Sequence, residues 1–211
     1  LGAGVGVELA LNAVLFEDFG AGNIYICEKR MILQKDSEIY SVLLDGSNYR
    51  SYGKGYVFAI DEKSNLLICN DSKYGGRNLF TLEVISGEKK TLTACEYFVA
   101  FHEGVVYYTE MVKDQDLSKM GKVILCSIKS DGSEIMVLAE TEPSLYDYAS
   151  EYSSGIYCLQ IVNDYLYFSY GTLNGHPPFY QGGNISCVKK DGSGYEVLAG
   201  RKTNGEYDDL V

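Results

Sequence analysis

The sequence predicts an all-β fold assembled from four tandem units. Glycine turns follow β-rich runs at Asp45-Gly46-Ser47, Ser86-Gly87-Glu88, Asp131-Gly132-Ser133 and Asp191-Gly192-Ser193, in steps of 41, 45 and 60 residues. The composition holds 19 Tyr, 8 Phe and 23 Gly against 3 Pro and no Trp, the balance that aromatic strands punctuated by glycine turns produce. Every turn is flanked by two apolar runs, with another pair of runs upstream.

The run before each turn is Ile39 to Leu43, Leu79 to Leu82, Ile124 to Ile128 and Ile185 to Val188, and the run after it ends at Tyr52, Leu92, Leu138 and Leu198. Asp-Gly between two such runs predicts a hairpin, because glycine accepts the positive φ of a primed turn. Upstream, Asn23 to Glu28, Asn65 to Asn70, Gly104 to Glu110 and Asp164 to Ser169 read as second strands. A first strand precedes each of these, at Ala13 to Phe16, Tyr56 to Ile60, Tyr97 to Phe101 and Ile156 to Val162. Four strands recurring about every 40–45 residues is the signature of a β-propeller blade. The expectation is a single β-propeller domain over 1–211, with approximate blades at 5–54, 55–94, 95–140 and 150–200 and a tail or closing strand at 201–211. Its four-stranded antiparallel blades form either a small closed ring or part of a larger one. Unclosed blades leave strand edges exposed, so self-association that completes or caps the ring belongs among the expected partners.

Val106-Tyr107-Tyr108-Thr109-Glu110 and Leu166-Tyr167-Phe168-Ser169 resemble the second-strand motif of the YWTD repeat of low-density-lipoprotein-receptor propellers, and the Asp-Gly-Ser hairpins resemble its third and fourth strands. The pattern is similar, more closely, to the bacterial propeller repeats of the domain of unknown function 5050 family. Trp is missing throughout, Leu67 to Asn70 retains only the hydrophobic shape of the motif, and Ser86 replaces Asp. The resemblance implies a propeller fold and an extracytoplasmic or cell-envelope location; it implies no activity.

A formal charge of -11 surrounds the molecule with a field that repels phosphate backbones, so nucleic acid is not an expected partner. No run approaches 18 consecutive apolar residues, and Leu1 to Phe16, broken by Glu8 and Asn12, lacks the features of an intact signal peptide or a membrane anchor. Membrane insertion is therefore not expected.

Six cysteines invite a metal or disulfide reading, but there is no Cys-x-x-Cys and no paired Cys/His spacing suited to zinc. Cys27 and Cys69 align with Thr109 and Ser169, and Cys126 and Cys187 with Ser41, which describes small-residue slots filled by packed thiols. Neither a metal nor any other cofactor is expected. With two histidines and no Gly-x-Ser-x-Gly, catalytic residues are not assigned either. Asp114-Gln115-Asp116 opens like a calcium loop, but Lys119 and Leu125 stand where glycine and glutamate are needed.

The longest second-to-third connections are expected from Met111 to Lys122 and from Tyr170 to Asn184. Loops of that kind lie on the face where propellers usually bind ligands. The candidate ligand-binding residues are accordingly Tyr170, His176, Phe179, Tyr180 and Asp116, with a protein or glycan as the expected ligand of a non-catalytic binding or scaffold module. Two alternatives stand beside that reading. One is a glycan-active hydrolase or lyase using Asp114, Asp116, Glu142 or Asp147; the other is a structural spacer of a longer envelope protein.

Overall fold

The computed structural model describes residues 24–72, 78–94, 97–112, 122–140, 154–174 and 179–199. They form four four-stranded antiparallel sheets, each with its strands in chain order. Blade 1 comprises β1 (Ile24–Cys27), β2 (Arg30–Lys35), β3 (Glu38–Leu43) and β4 (Arg50–Lys54); blade 2 comprises β5 (Tyr56–Asp61), β6 (Leu66–Asn70), β7 (Asn78–Glu83) and β8 (Lys89–Ala94). Blade 3 holds β9 (Tyr97–His102), β10 (Val105–Val112), β11 (Lys122–Lys129) and β12 (Met136–Glu140), and blade 4 holds β13 (Ser154–Val162), β14 (Tyr165–Asn174), β15 (Phe179–Lys189) and β16 (Glu196–Ala199). These are the blades of a β-propeller.

Blade 1 departs from the sequence expectation. Ile24–Cys27 is its first strand, not its second, and Ala13 to Phe16 lies outside the described residues. The second strand is Arg30–Lys35, whose Met31, Ile32 and Leu33 are buried on both faces. A strand covered on both sides reads as a continuous apolar run without alternation, and this one carries no aromatic residue to mark it. The hairpin turns also differ from the primed type. Gly46 N–H donates to Leu43 O and Leu43 N–H to Ser47 O, with the positive φ at Gly46 (82°), an arrangement that Gly192 repeats at 81°. Such a turn closed by a left-handed glycine makes a longer loop than a two-residue hairpin. In blade 2 the turn is longer by one residue, and Glu83 caps it by accepting from the Ile85 and Ser86 N–H groups.

The registers shift two of the expected cysteine equivalences. Cys187 does share a slot with Ser41, Thr81 and Ser127, each buried. Cys126 sits one residue earlier, with Tyr40 and Phe80, while Asn70 rather than Cys69 matches Thr109 and Ser169. Cys27 ends a first strand.

Contacts gather into two compact units, one of Leu1–Ala94 with Ser130–Gly132 and one of Cys95–Lys129 with Ser133–Val211. Within the first, Cys27, Ile32, Ile39 and Tyr52 of blade 1 pack against Val57, Leu67, Cys69, Phe80, Leu82 and Val84 of blade 2. A polar chain runs through this core. The buried Arg30 guanidinium donates to Ser41 Oγ (2.8 Å) and Asn48 O (3.1 Å), Ser41 Oγ meets Tyr52 OH at 2.8 Å, and Tyr52 OH donates to Val84 O at 2.6 Å. Ser130 Oγ donates to the buried Asp61 carboxylate at 3.0 Å in the same unit. Within the second unit, Tyr107, Val123, Leu125, Leu138 and Ala139 of blade 3 pack against Ile156, Leu166, Phe168 and Val188 of blade 4. In both units the same face of one blade meets the opposite face of the next. Each fully buried aliphatic or aromatic side chain in such a core contributes about 1.5–3 kcal/mol.

Candidate functional site

The end of each blade where the second strand passes to the third carries a polar residue in a fixed register. Gln34, Asn70, Thr109 and Ser169 lie opposite Ile39, Leu79, Leu125 and Ile185. In blades 1 and 2 these side chains accept from backbone N–H groups, whereas the buried Thr109 Oγ1 has no hydrogen-bond partner among the described residues. Gln34 Oε1 accepts from Val57 N–H at 2.9 Å, and Asn70 Oδ1 accepts from Ser72 N–H at 2.8 Å. Asn78 Nδ2 closes the blade 2 connection by donating to Asp71 Oδ2 at 3.1 Å. In blades 1 and 2 the side chain meets a main-chain donor that needs a partner. The row was missed in the sequence, where four different residue types offer no common letter.

Beyond this row, blade 4 is unlike blades 1 and 2. The sequence reading made Tyr170 to Asn184 a long loop; instead β14 continues to Asn174 and β15 begins at Phe179. Tyr170 pairs with Asn184, Thr172 with Gln181, Leu173 with Tyr180 and Asn174 with Phe179, after a register shift between Tyr170 and Thr172. Tyr170–Asn174 and Phe179–Asn184 thus form a two-stranded ribbon. Blade 3 shows the same tendency, since Met111 pairs with Val123 and Val112 with Lys122. A paired ribbon satisfies its own backbone.

The ribbon brings together three of the expected site residues, Tyr170, Phe179 and Tyr180, at backbone positions on adjacent strands. His176 and Asp116 lie outside the described residues, as do Asp114, Glu142 and Asp147 of the enzyme alternative. His102 ends β9 opposite Val105, with its Nε2 3.5 Å from the Glu103 carboxylate, to which Lys190 Nζ also comes within 3.9 Å. Cys27, Cys69, Cys126 and Cys187 are free and buried. Burial pushes the Cys126 thiol up to about 11 and the Cys69 thiol further, which removes the thiolate that nucleophilic or redox chemistry requires. Among the described residues, no group of three or more His, Cys, Asp or Glu gathers as metal ligands would.

No protein-family model and no curated protein sequence match the chain. Solved structures do. A structure from a study of two prolyl endopeptidases aligns with a TM-score of 0.54 at 11% identity, over 94% of this chain and 34% of that one. Oligogalacturonate lyase from Vibrio parahaemolyticus aligns with a TM-score of 0.52 at 12% identity, over 81% of this chain and 49% of the lyase. The chain therefore spans about a third of the first and half of the second. At these identities the likeness is one of fold.

Proposed function

We propose that this propeller is a binding or scaffold module that recognises a protein or a glycan through the second-to-third-strand end of its blades, with the blade 4 ribbon as the principal contact. The observation that carries the reading is the pairing of Leu173 with Tyr180 and of Asn174 with Phe179, which sets two aromatic residues on a hydrogen-bonded scaffold instead of a free loop. Aromatic residues held this way lose little conformational freedom on binding and supply the anchors of protein and sugar contacts. The second strands of blades 3 and 4, where Val106 to Glu110 and Leu166 to Ser169 stand, support the finer resemblance to YWTD-type and domain of unknown function 5050 repeats.

The test begins with the wild-type chain on a glycan array that includes oligogalacturonates and on a panel of immobilised envelope proteins. The double variant Phe179→Ala, Tyr180→Ala is then measured on whatever the wild type retains. A loss of about 2 kcal/mol or more supports the ribbon as the contact. Unchanged binding removes that assignment, and cleavage of an arrayed glycan would replace the binding reading with the hydrolase or lyase alternative.

A further inference from the structure

We propose that Asp45-Gly46 and Asp191-Gly192 are latent modification sites, each open in its sequence to isoaspartate formation and held unreactive by the hairpin turn for as long as that turn stays closed. A glycine after aspartate leaves the main-chain nitrogen without a neighbouring Cβ, so it approaches the Asp Cγ unhindered. In the reaction the Gly nitrogen bonds to Cγ, the N–H proton and the carboxyl hydroxyl leave together as one water, and a five-membered succinimide closes. Solvent water then opens the ring at either carbonyl, which returns aspartate or leaves isoaspartate. No other reagent is consumed. Both aspartates are exposed, so water reaches them.

The folded turn withholds both reacting groups. Gly46 N–H donates to Leu43 O at 2.8 Å and Gly192 N–H to Lys189 O at 2.9 Å, so each nitrogen has to break a hydrogen bond before it can give up its proton. The carboxylates are held as well. Asp45 Oδ1 accepts from Ser47 N–H at 2.9 Å and from Ser47 Oγ–H at 2.6 Å, and Asp191 Oδ1 accepts from Ser193 N–H at 2.8 Å. These bonds favour the ionised carboxyl, whereas the neutral acid is the form that loses hydroxyl. Each loop is closed by a second backbone bond, Leu43 N–H to Ser47 O at 2.9 Å and Lys189 N–H to Ser193 O at 3.0 Å, across glycines at φ of 82° and 81°. At Asp45 the modification would reach the blade junction. An isoaspartate routes the main chain through Cγ and adds a methylene between β3 and β4, the strand whose Tyr52 donates to Val84 O at 2.6 Å. A turn that opens long enough to react is thereby recorded covalently beside the strand that carries the junction residue.

The wild-type chain is incubated at neutral pH, native and unfolded in guanidinium chloride, and isoaspartate at each site is followed over time by peptide mapping and by enzymatic methylation of isoaspartyl carboxyls. The native rate at Asp45 and at Asp191 should lie at least about tenfold below the unfolded rate, because only the opened population reacts. Ser47→Ala removes one donor to Asp45 and should raise the native rate there about twofold or more, while Asp191 keeps its wild-type rate. A native chain that reacts as fast as the unfolded one overturns the proposal, and so does an unfolded chain that forms no isoaspartate at these sites. An Asp45 rate unmoved by Ser47→Ala also overturns it. An equal rise at Asp191 does the same, since the protection would then belong to the whole fold and not to the turn. If Ser47→Ala unfolds its blade, as circular dichroism would report, Ser193→Ala makes the same comparison with the two sites exchanged.

Discussion

The two units solve the same packing problem with different chemistry. In the first, the fourth-strand residue that enters the junction is Tyr52, and its hydroxyl belongs to a buried chain from Arg30 through Ser41 to Val84 O. In the second, the matching residue is Leu138, and the junction is apolar through Tyr107, Leu125, Leu166, Phe168 and Val188. The strands differ too. Those of the first unit have four to six residues, while β10 and β11 have 8, β14 has 10 and β15 has 11. A hydrogen-bonded junction fixes direction and register, because a displaced donor leaves a buried group unpaired. An apolar junction tolerates sliding, and in this protein it accompanies the blades that extend a ribbon.

Substitutions at four positions probe that contrast, the largest effect first. Leu138→Ala removes the apolar anchor of the second unit and leaves a cavity, so it should cost about 2–5 kcal/mol by urea denaturation, with loss of near-ultraviolet signal from the tyrosines around it. Gly55→Ala strikes the first unit by overpacking. Its φ of +158° and a new Cβ only 2.8 Å from Phe80 Cζ and 2.9 Å from Ile39 Cδ1 force both side chains to move, at about 1–3 kcal/mol. Tyr52→Phe keeps the ring but deprives Val84 O of its donor; about 1–2 kcal/mol is expected, and Tyr52→Leu should cost more if the polar chain defines that junction. A Tyr52→Phe variant as stable as the wild type would erase the distinction between the units.

The smallest effect concerns the turns. Hydrogen bonds from Ser47 and Ser193 hold the Asp45 and Asp191 carboxyls below the usual carboxylate range. A depressed folded-state pKa stabilises above the unfolded value and loses that contribution as pH falls through the folded value. Unfolding midpoints of the wild type and of Asp191→Ala should therefore differ at neutral pH and converge in acid. Both carboxylates are exposed, so the difference is slight, but it should appear in each unit because the turn is common to them.

Much of the fold was legible in the residues. The Asp-Gly-Ser turns marked the hairpins between third and fourth strands, and Gly104 to Glu110 and Asp164 to Ser169 declared second strands, which the structure places at Val105–Val112 and Tyr165–Asn174. Arg30–Lys35 was passed over because a strand buried on both faces lacks the alternation that makes a half-exposed strand visible. The cysteine slots slipped by one residue at Cys69 and Cys126, since a period-two pattern gives no warning of a one-place error. Of the candidate site, the sequence located Tyr170, Phe179 and Tyr180 in one stretch but took it for a loop. The pairing of these residues depends on a partner strand several residues away.

By itself the sequence determined the repeat, its period and the all-β character, because turn chemistry and strand propensity are local properties written in each unit. Tertiary structure decided which strand is first in blade 1, where Tyr52 sends its hydrogen bond, and that Phe179 and Tyr180 stand on paired strands. It also decided that Val162, Ile185 and Leu198 of blade 4 stay exposed while Cys27, Ile39 and Tyr52 of blade 1 and Leu125 and Leu138 of blade 3, at matching positions, are buried. Those outcomes turn on what lies against each face, and packing between elements distant in the chain leaves no mark on a single residue or its neighbours.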